Sequence, residues 1–183
     1  FANYWMHSGM LQINSEKMSK SLGNFLLLHE VLEDARPQAL RMLMLQTHYR
    51  SPLDFSTERM EEADAALTRI ENTVRNVDWL CSNAKDDAPD AIDSISLRAL
   101  TADAHENFIS AMDDDFNAPA ALGAIFSLVS YLNSQIADKS LSVNDAEAAI
   151  GARDESVSLL DVLGISIADD QDGGDSQEYP EEV

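Results

Sequence analysis

From Ser56 onward the apolar residues Met60, Ala63, Leu67, Ile70, Val74, Val77 and Cys81 recur at spacings of three and four. That is the period which lines side chains along one stripe of an α-helix. Ser56 suits the N-cap and Glu58 the first turn. A long helix with one apolar stripe has to bury it, and the sequence supplies partners downstream. Leu97, Leu100, Ala104, Phe108 and Met112 mark a second stripe; Leu122, Ile125, Phe126, Val129, Leu132 and Ile136 mark a third. A fourth helix starts near Asn144 and uses Ala146, Ile150, Val157, Leu160 and Leu163, with Gly164 as a left-handed C-terminal cap. The connections are short: Lys85 to Asp93, with Pro89, and Asp113 to Asn117, with Pro119 placed for a helix start. Stripes joined in this way imply an antiparallel helical bundle. Packing within one chain accounts for the 60–81 spacing without a second copy, and a monomer is the expected state.

The chain ahead of the bundle is of another kind. Phe1 to Ile13 is rich in aromatic and β-branched residues and reads as a strand pair around a His7-Ser8-Gly9 turn, or as the end of a sheet. A polar, basic loop runs from Asn14 to Asn24. A short helix is expected over Leu26 to Asp34, and a second from Pro37 through Leu45, broken at Ser51-Pro52. Beyond Ala168 the residues are almost all Asp, Glu, Gly, Ser and Gln, a composition that cannot offset the entropy of ordering, so 168–183 is expected to be an acidic disordered linker. The expected fold class is mainly α, an antiparallel helical bundle preceded by a short β segment.

Charge limits the partners. The chain carries 12 basic and 33 acidic residues, a net −21. Residues 1–76 hold eight of the basic and ten of the acidic residues, so nearly all the excess lies after them. A polyanion should therefore meet the N-terminal portion, and composition argues against a free-standing nucleic-acid binder. Cys81, the single cysteine, permits no internal disulfide and no cysteine-based zinc site within this chain, and it points to a reducing cytoplasm. No apolar run has the length of a membrane span, and no basic segment leads into a secretory signal.

Lys17-Met18-Ser19-Lys20-Ser21, followed by Leu22-Gly23-Asn24, is the one stretch whose residue types suggest chemistry directly. Two ammonium groups three positions apart, with hydroxyls and a glycine nearby, can surround polyphosphate oxygens and stabilise charge developing on a leaving pyrophosphate. Lysine and serine spacing alone describes a solvated basic loop better than a phosphate site. The literal string decides more, because a given five-residue string arises by chance in a chain of this length with a probability of about 10⁻⁴.

That string is the KMSKS signature of class I aminoacyl-tRNA synthetases. Tyr4-Trp5-Met6-His7-Ser8-Gly9-Met10, Glu16 and Ser21-Leu22-Gly23-Asn24-Phe25 resemble the cysteinyl-tRNA synthetase family, as do His48-Tyr49-Arg50-Ser51-Pro52-Leu53 and Ala111-Met112-Asp113-Asp114-Asp115-Phe116-Asn117. The resemblance spans roughly residues 1–165. It implies that residues 1–25 end a Rossmann-like catalytic domain bearing the KMSKS loop. Residues 26–55 would be a connecting element that meets the inner side of the tRNA, and 56–167 a bundle of the DALR type, a name that Ala39-Leu40-Arg41 echoes. The implied reaction activates cysteine with ATP and Mg²⁺ to cysteinyl-adenylate and transfers it to tRNA(Cys). Lys17 and Lys20 match the catalytic lysines, with Lys20, Ser19 and Ser21 contacting ATP; Arg41 and Arg50 are candidate tRNA contacts, and Arg59 a further one.

The same resemblance implies what this chain lacks: the HIGH signature, the Cys, His and Glu ligands of the family's Zn²⁺, and the basic C-terminal anticodon-binding domain. The expectation is a fragment, inactive alone, with zinc bound outside this chain in the full-length enzyme. Two other readings are open. A cysteine ligase of mycothiol synthesis shares the loop but passes cysteine to an amino-sugar inositol, and a non-catalytic helical interaction module could keep the loop as a relic. His7 and Trp5 are either active-site groups or structural ones. Asp113, Asp115 and Asn117 alternate as in a calcium loop, but Ala118 and Ala124 stand where that pattern requires Gly and Glu, which leaves a helix-capping or interhelical polar corner. Cys81 reads as a buried small hydrophobe.

Overall fold

A computed structural model describes residues 1–13, 16–18 and 27–167 of the chain. The acidic stretch 168–183 and the loop residues Ser19, Lys20 and Ser21 lie outside the described residues. Among the described residues the elements run β1 (Leu11–Ile13), β2 (Glu16–Lys17), α1 (Leu28–Asp34), α2 (Pro37–Leu45), β3 (Leu53–Phe55), α3 (Thr57–Ser82), α4 (Ser94–Asp113), α5 (Ala118–Ile136) and α6 (Val143–Val162).

The expected helix starts are built by local chemistry. Ser56 caps α3 by accepting the Arg59 backbone N–H at 3.3 Å. Asn117 caps α5 by accepting from the Ala120 N–H at 3.2 Å, and proline sits in the first turn of both α2 and α5, where its missing N–H has no helical partner to lose. Helix α6 opens with a reciprocal capping box between Ser142 and Asp145 and closes on Gly164, whose φ is +71°. The Gly164 N–H donates to the Asp161 carbonyl and the Ile165 N–H to that of Leu160, a Schellman ending with Leu160 and Ile165 both fully buried.

Helices α3 to α6 bury their stripes against one another, and α2 lies along the first half of α3. Met60, Ala63, Leu67 and Ile70 of α3 meet Ala39, Met42 and Leu43 of α2, Phe108 of α4, Leu122 and Ile125 of α5 and Leu159 and Leu160 of α6. Farther along the bundle Val77 and Leu80 pack with Leu97, Leu128, Leu132, Ile136, Ala148, Ala149 and Ala152. The α6 stripe differs from expectation: Ile150 and Val157 are only partly covered, while Ala146, Ala148, Ala149 and Ala152 are buried. Short side chains there let α6 approach both α4 and α3 closely. Cys81 is half-buried, with Leu80 taking the core position beside it.

The connection before α4 is tied down by Asp145, which is fully buried yet accepts the Ala91 N–H at 2.7 Å and the Ser94 hydroxyl at 3.0 Å. Arg36, just before α2, pins that helix to α3 by donating to Asp64 at 2.7 Å, Thr68 at 2.9 Å and Glu71 at 2.9 Å.

The N-terminal strand pair forms in a different place from the expected one. No strand occupies the described residues before Leu11; β1 instead pairs antiparallel with β2, Gln12 opposite Lys17, and parallel with β3, Gln12 opposite Asp54. Gly9 is not the apex of a hairpin. Its N–H donates to the Tyr49 carbonyl at 2.6 Å, and a Cβ at this position would fall 2.0 Å from the Ser51 carbonyl oxygen. The glycine serves a close approach of two backbones, and that approach aligns β1 with β3 rather than folding residues 1–8 back onto 10–13.

Candidate functional site

Lys17 is on β2, at one edge of the three-stranded sheet ordered β2-β1-β3. The chain therefore enters the lysine-serine loop directly from a hydrogen-bonded strand, with the Met18 N–H donating to the Leu11 carbonyl at 3.4 Å. Ser19, Lys20 and Ser21 continue from that strand, outside the described residues. His7 is exposed and Trp5 is 70% exposed, so neither is a packed structural group among the described residues.

The middle strand β1 is locked to the segment that follows α2. Besides the β1–β3 ladder, Gly9 bonds Tyr49, and the Leu53 N–H donates to the Met10 carbonyl at 3.0 Å. The same segment carries a compact polar cluster at its other side. The Tyr49 hydroxyl donates to Asp115 Oδ1 at 2.6 Å; Arg50 Nη2 donates to that oxygen at 2.8 Å, and Arg50 Nε donates to Oδ2. The guanidinium and carboxylate thus meet as a fork, the geometry that gives both direction and strength. His48 stacks on Tyr49 with ring centroids 5.0 Å apart, and the Arg50 guanidinium carbon lies 5.1 Å from the Tyr49 centroid. His48 Nδ1 accepts the Arg50 backbone N–H, which leaves the proton of a neutral imidazole on Nε2, 4.0 Å from Asp115 Oδ2.

Asp115 sits between α4 and α5 with φ +56°, a left-handed backbone that Asp tolerates better than most residues. Its hydrogen bond from Arg50, then that from Tyr49, holds its carboxyl well below the usual carboxylate range. The bond to Asp115 in turn raises the Tyr49 phenol, and the Arg50 guanidinium is raised above its ordinary value by the same partner. The Asp113-to-Asn117 stretch is the polar corner, with Asn117 the cap of α5 and Asp115 the interhelical acceptor. Among the described residues no three His, Cys, Asp or Glu side chains come together to hold a metal ion.

Of the arginines singled out in the sequence, Arg50 is engaged by Asp115. Arg41 is exposed on α2 and crosses to Gly164, where a Cβ would lie 2.6 Å from its Nη1. It thereby places a cation at the C-terminal end of α6, the end that favours positive charge. Arg59 reaches the Asp54 carbonyl at 3.5 Å. What periodicity could not reveal is that His48-Tyr49-Arg50 and Asp115 meet. The available signal was that both are polar runs placed outside any helical stripe.

Two family models match the chain. One, described as tRNA synthetases class I (C) catalytic domain, covers residues 1–65, and the other, the DALR domain, covers residues 107–168. The fold also resembles the Agrobacterium radiobacter K84 agnB2 LeuRS in a ternary complex with tRNA and LeuAMS, with a TM-score of 0.60 at 23% identity over 87% of this chain and 23% of that one. The small sheet and the KMSKS string fall within the class I catalytic-domain match and the last helices within the DALR match, so over these stretches the chain is similar to class I aminoacyl-tRNA synthetases. Cysteine–tRNA ligases of Desulfitobacterium hafniense and Geobacter metallireducens are 39% and 42% identical to it over 92% and 90% of the chain. The chain belongs to the cysteinyl-tRNA synthetase family, and it spans about a third of the length of those relatives, 35% and 34%.

Proposed function

We propose that this chain is the part of a cytoplasmic cysteine–tRNA ligase that carries the KMSKS loop, the connecting element and the helical bundle, residues 1–25, 26–55 and 56–167, with 168–183 leading out of the bundle. The observation that carries the reading is the KMSKS string, Lys17 to Ser21, running on from strand β2 in a chain 40% identical over 90% of its length to a cysteine–tRNA ligase of Caldicellulosiruptor saccharolyticus.

In the proposed reaction the cysteine carboxylate attacks the α-phosphorus of ATP, the bond from that phosphorus to the β-phosphate bridging oxygen breaks, and pyrophosphate leaves with the charge. Lys20, with Ser19 and Ser21, holds the phosphates, and Lys17 helps the loop close over them, so that positive charge is in place where negative charge accumulates. A terminal tRNA hydroxyl then attacks the adenylate carbonyl and AMP departs. Mg²⁺ would supply further charge neutralisation at the phosphates. Among the described residues no three His, Cys, Asp or Glu side chains come together to hold zinc, and in this reading the Zn²⁺ of the full-length enzyme takes its ligands from outside this chain. Arg41 and Arg50 are the candidate tRNA contacts in this reading, although Arg50 is also engaged by Asp115 and Arg41 lies beside Gly164, and the enzyme works as a monomer. No helix of the described residues is long and apolar enough to cross a membrane.

The experiment is acceptor choice. The full-length protein containing this chain receives labelled cysteine, ATP and Mg²⁺ with either tRNA or an amino-sugar inositol. Label on tRNA alone supports the ligase. Label on the sugar alone moves the function to a mycothiol-type cysteine ligase.

A further inference from the structure

The sheet that leads into the KMSKS loop is fastened to the bundle by the chain itself and by side chains. The chain joins it at both ends of the 46–55 segment: α2 ends at Leu45 and packs on α3, and β3 ends at Phe55, which packs on the bundle core, before Ser56 caps α3. These links leave the middle of the segment, 46–52, without a tie to the α4–α5 corner of their own. The second fastening supplies it, where Tyr49 and Arg50 bind Asp115 at the corner between α4 and α5. From that segment the backbone bonds from Gly9 to Tyr49 and from Leu53 to Met10, the β1–β3 ladder, and the β1–β2 pair lead to Lys17.

We infer that Asp115 is a positioning residue for adenylate formation: through Tyr49 and Arg50 it fixes the orientation of the β2-β1-β3 sheet on the bundle, and with it the strand from which the KMSKS lysines are presented. Arg50 then has a role before any tRNA arrives. A lysine displaced by about 1 Å from the phosphates loses much of its effect on the transition state, so loosening the second fastening lowers turnover rather than substrate binding. The role rests on the ligase reading above.

The test uses the full-length protein without tRNA. Cysteine-dependent ATP–pyrophosphate exchange is measured per active site for the wild type, Asp115→Asn, Arg50→Lys and the double variant. Hydrogen–deuterium exchange is followed in parallel over residues 9–18. The expected result for Asp115→Asn is a fall in kcat of about tenfold or more with KM for cysteine within about twofold of wild type. Backbone exchange over 9–18 should rise while the α5 and α6 amides hold their protection, and the double variant should be no worse than Asp115→Asn alone, because both act through one contact.

Tyr49→Phe, which removes one hydroxyl, serves if Asp115→Asn folds poorly, and should show the same pattern more weakly. Exchange turnover of Asp115→Asn within about threefold of wild type, or unchanged protection over 9–18, overturns the inference, as does an Arg50→Lys variant whose pyrophosphate exchange matches the wild type. If the wild type shows no cysteine-dependent exchange, the ligase reading fails on its own. The protection measurement still decides whether Asp115 holds the sheet.

Discussion

Asp115 and Arg50, 65 positions apart in the chain, meet through two hydrogen bonds that join the α4–α5 corner to the segment running into β3. One acidic side chain at the bundle thus reaches the part of the fold that carries the chemistry, and its titration has a direction. Asp115 is held below the usual carboxylate range, so the folded state binds this proton less readily than the unfolded chain. Its stabilising contribution is complete above the unfolded value of about 3.9 and is lost as pH falls through the lower folded value. Urea unfolding of wild type and Asp115→Asn between pH 7 and pH 3 should show the wild type more stable at neutral pH, with the gap closing below about pH 4. A gap that widened in acid would contradict the assignment.

Tyr49 works in the opposite sense. Its phenol is raised, chiefly by its bond to Asp115. The neutral form is the one favoured by folding, so its contribution is present below about pH 10 and lost as pH climbs through the raised value. Ultraviolet titration of phenolate absorbance should lose a high-pH component in Asp115→Asn that the wild type shows, as Tyr49 returns toward the ordinary phenol value.

Gly9→Ala and Gly123→Ala should move stability in opposite directions. At Gly9 the new methyl would meet backbone, the Ser51 carbonyl oxygen at 2.0 Å, and the sheet must shift to admit it, a cost of about 1–3 kcal/mol. Gly123 lies exposed on α5 with nothing within 4 Å of the added atom, so alanine should stabilise the helix by about 0.5–1 kcal/mol. Denaturant midpoints of the two variants decide it.

Removing the Asp145 carboxylate should loosen the connection before α4. Asp145→Ala leaves the Ala91 N–H and the Ser94 hydroxyl without their buried acceptor, at about 1–3 kcal/mol. Amide exchange at Ala91 should accelerate well before exchange in the core of α5. Equal protection in the variant would mean that other contacts hold this connection.

The bundle was legible because its stripes follow one rule. Leu67, Phe108, Leu122 and Leu160 recur at helical spacing and are all buried in one core, and Ser56, Asn117, Pro37 and Gly164 mark ends with residues whose capping chemistry is local. The family was legible from the KMSKS string and its neighbours. The sheet was not, because strands of two and three residues carry too few alternations to show a period, and because Gly9 was needed for a contact with Ser51 rather than for a turn. The Asp115 cluster was hidden for a related reason. Pairing across 65 positions is decided by how the finished bundle places the α4–α5 corner, a relation absent from either stretch read alone.

If this chain presents the KMSKS lysines of a cysteine-activating ligase, cysteine-dependent ATP–pyrophosphate exchange by the full-length protein must depend on Lys20. Wild-type exchange should require cysteine, and in Lys20→Ala it should fall by more than about tenfold, about 1.4 kcal/mol of barrier or more. Exchange without cysteine dependence, or a Lys20→Ala rate within about threefold of wild type, less than about 1 kcal/mol, would contradict this reading.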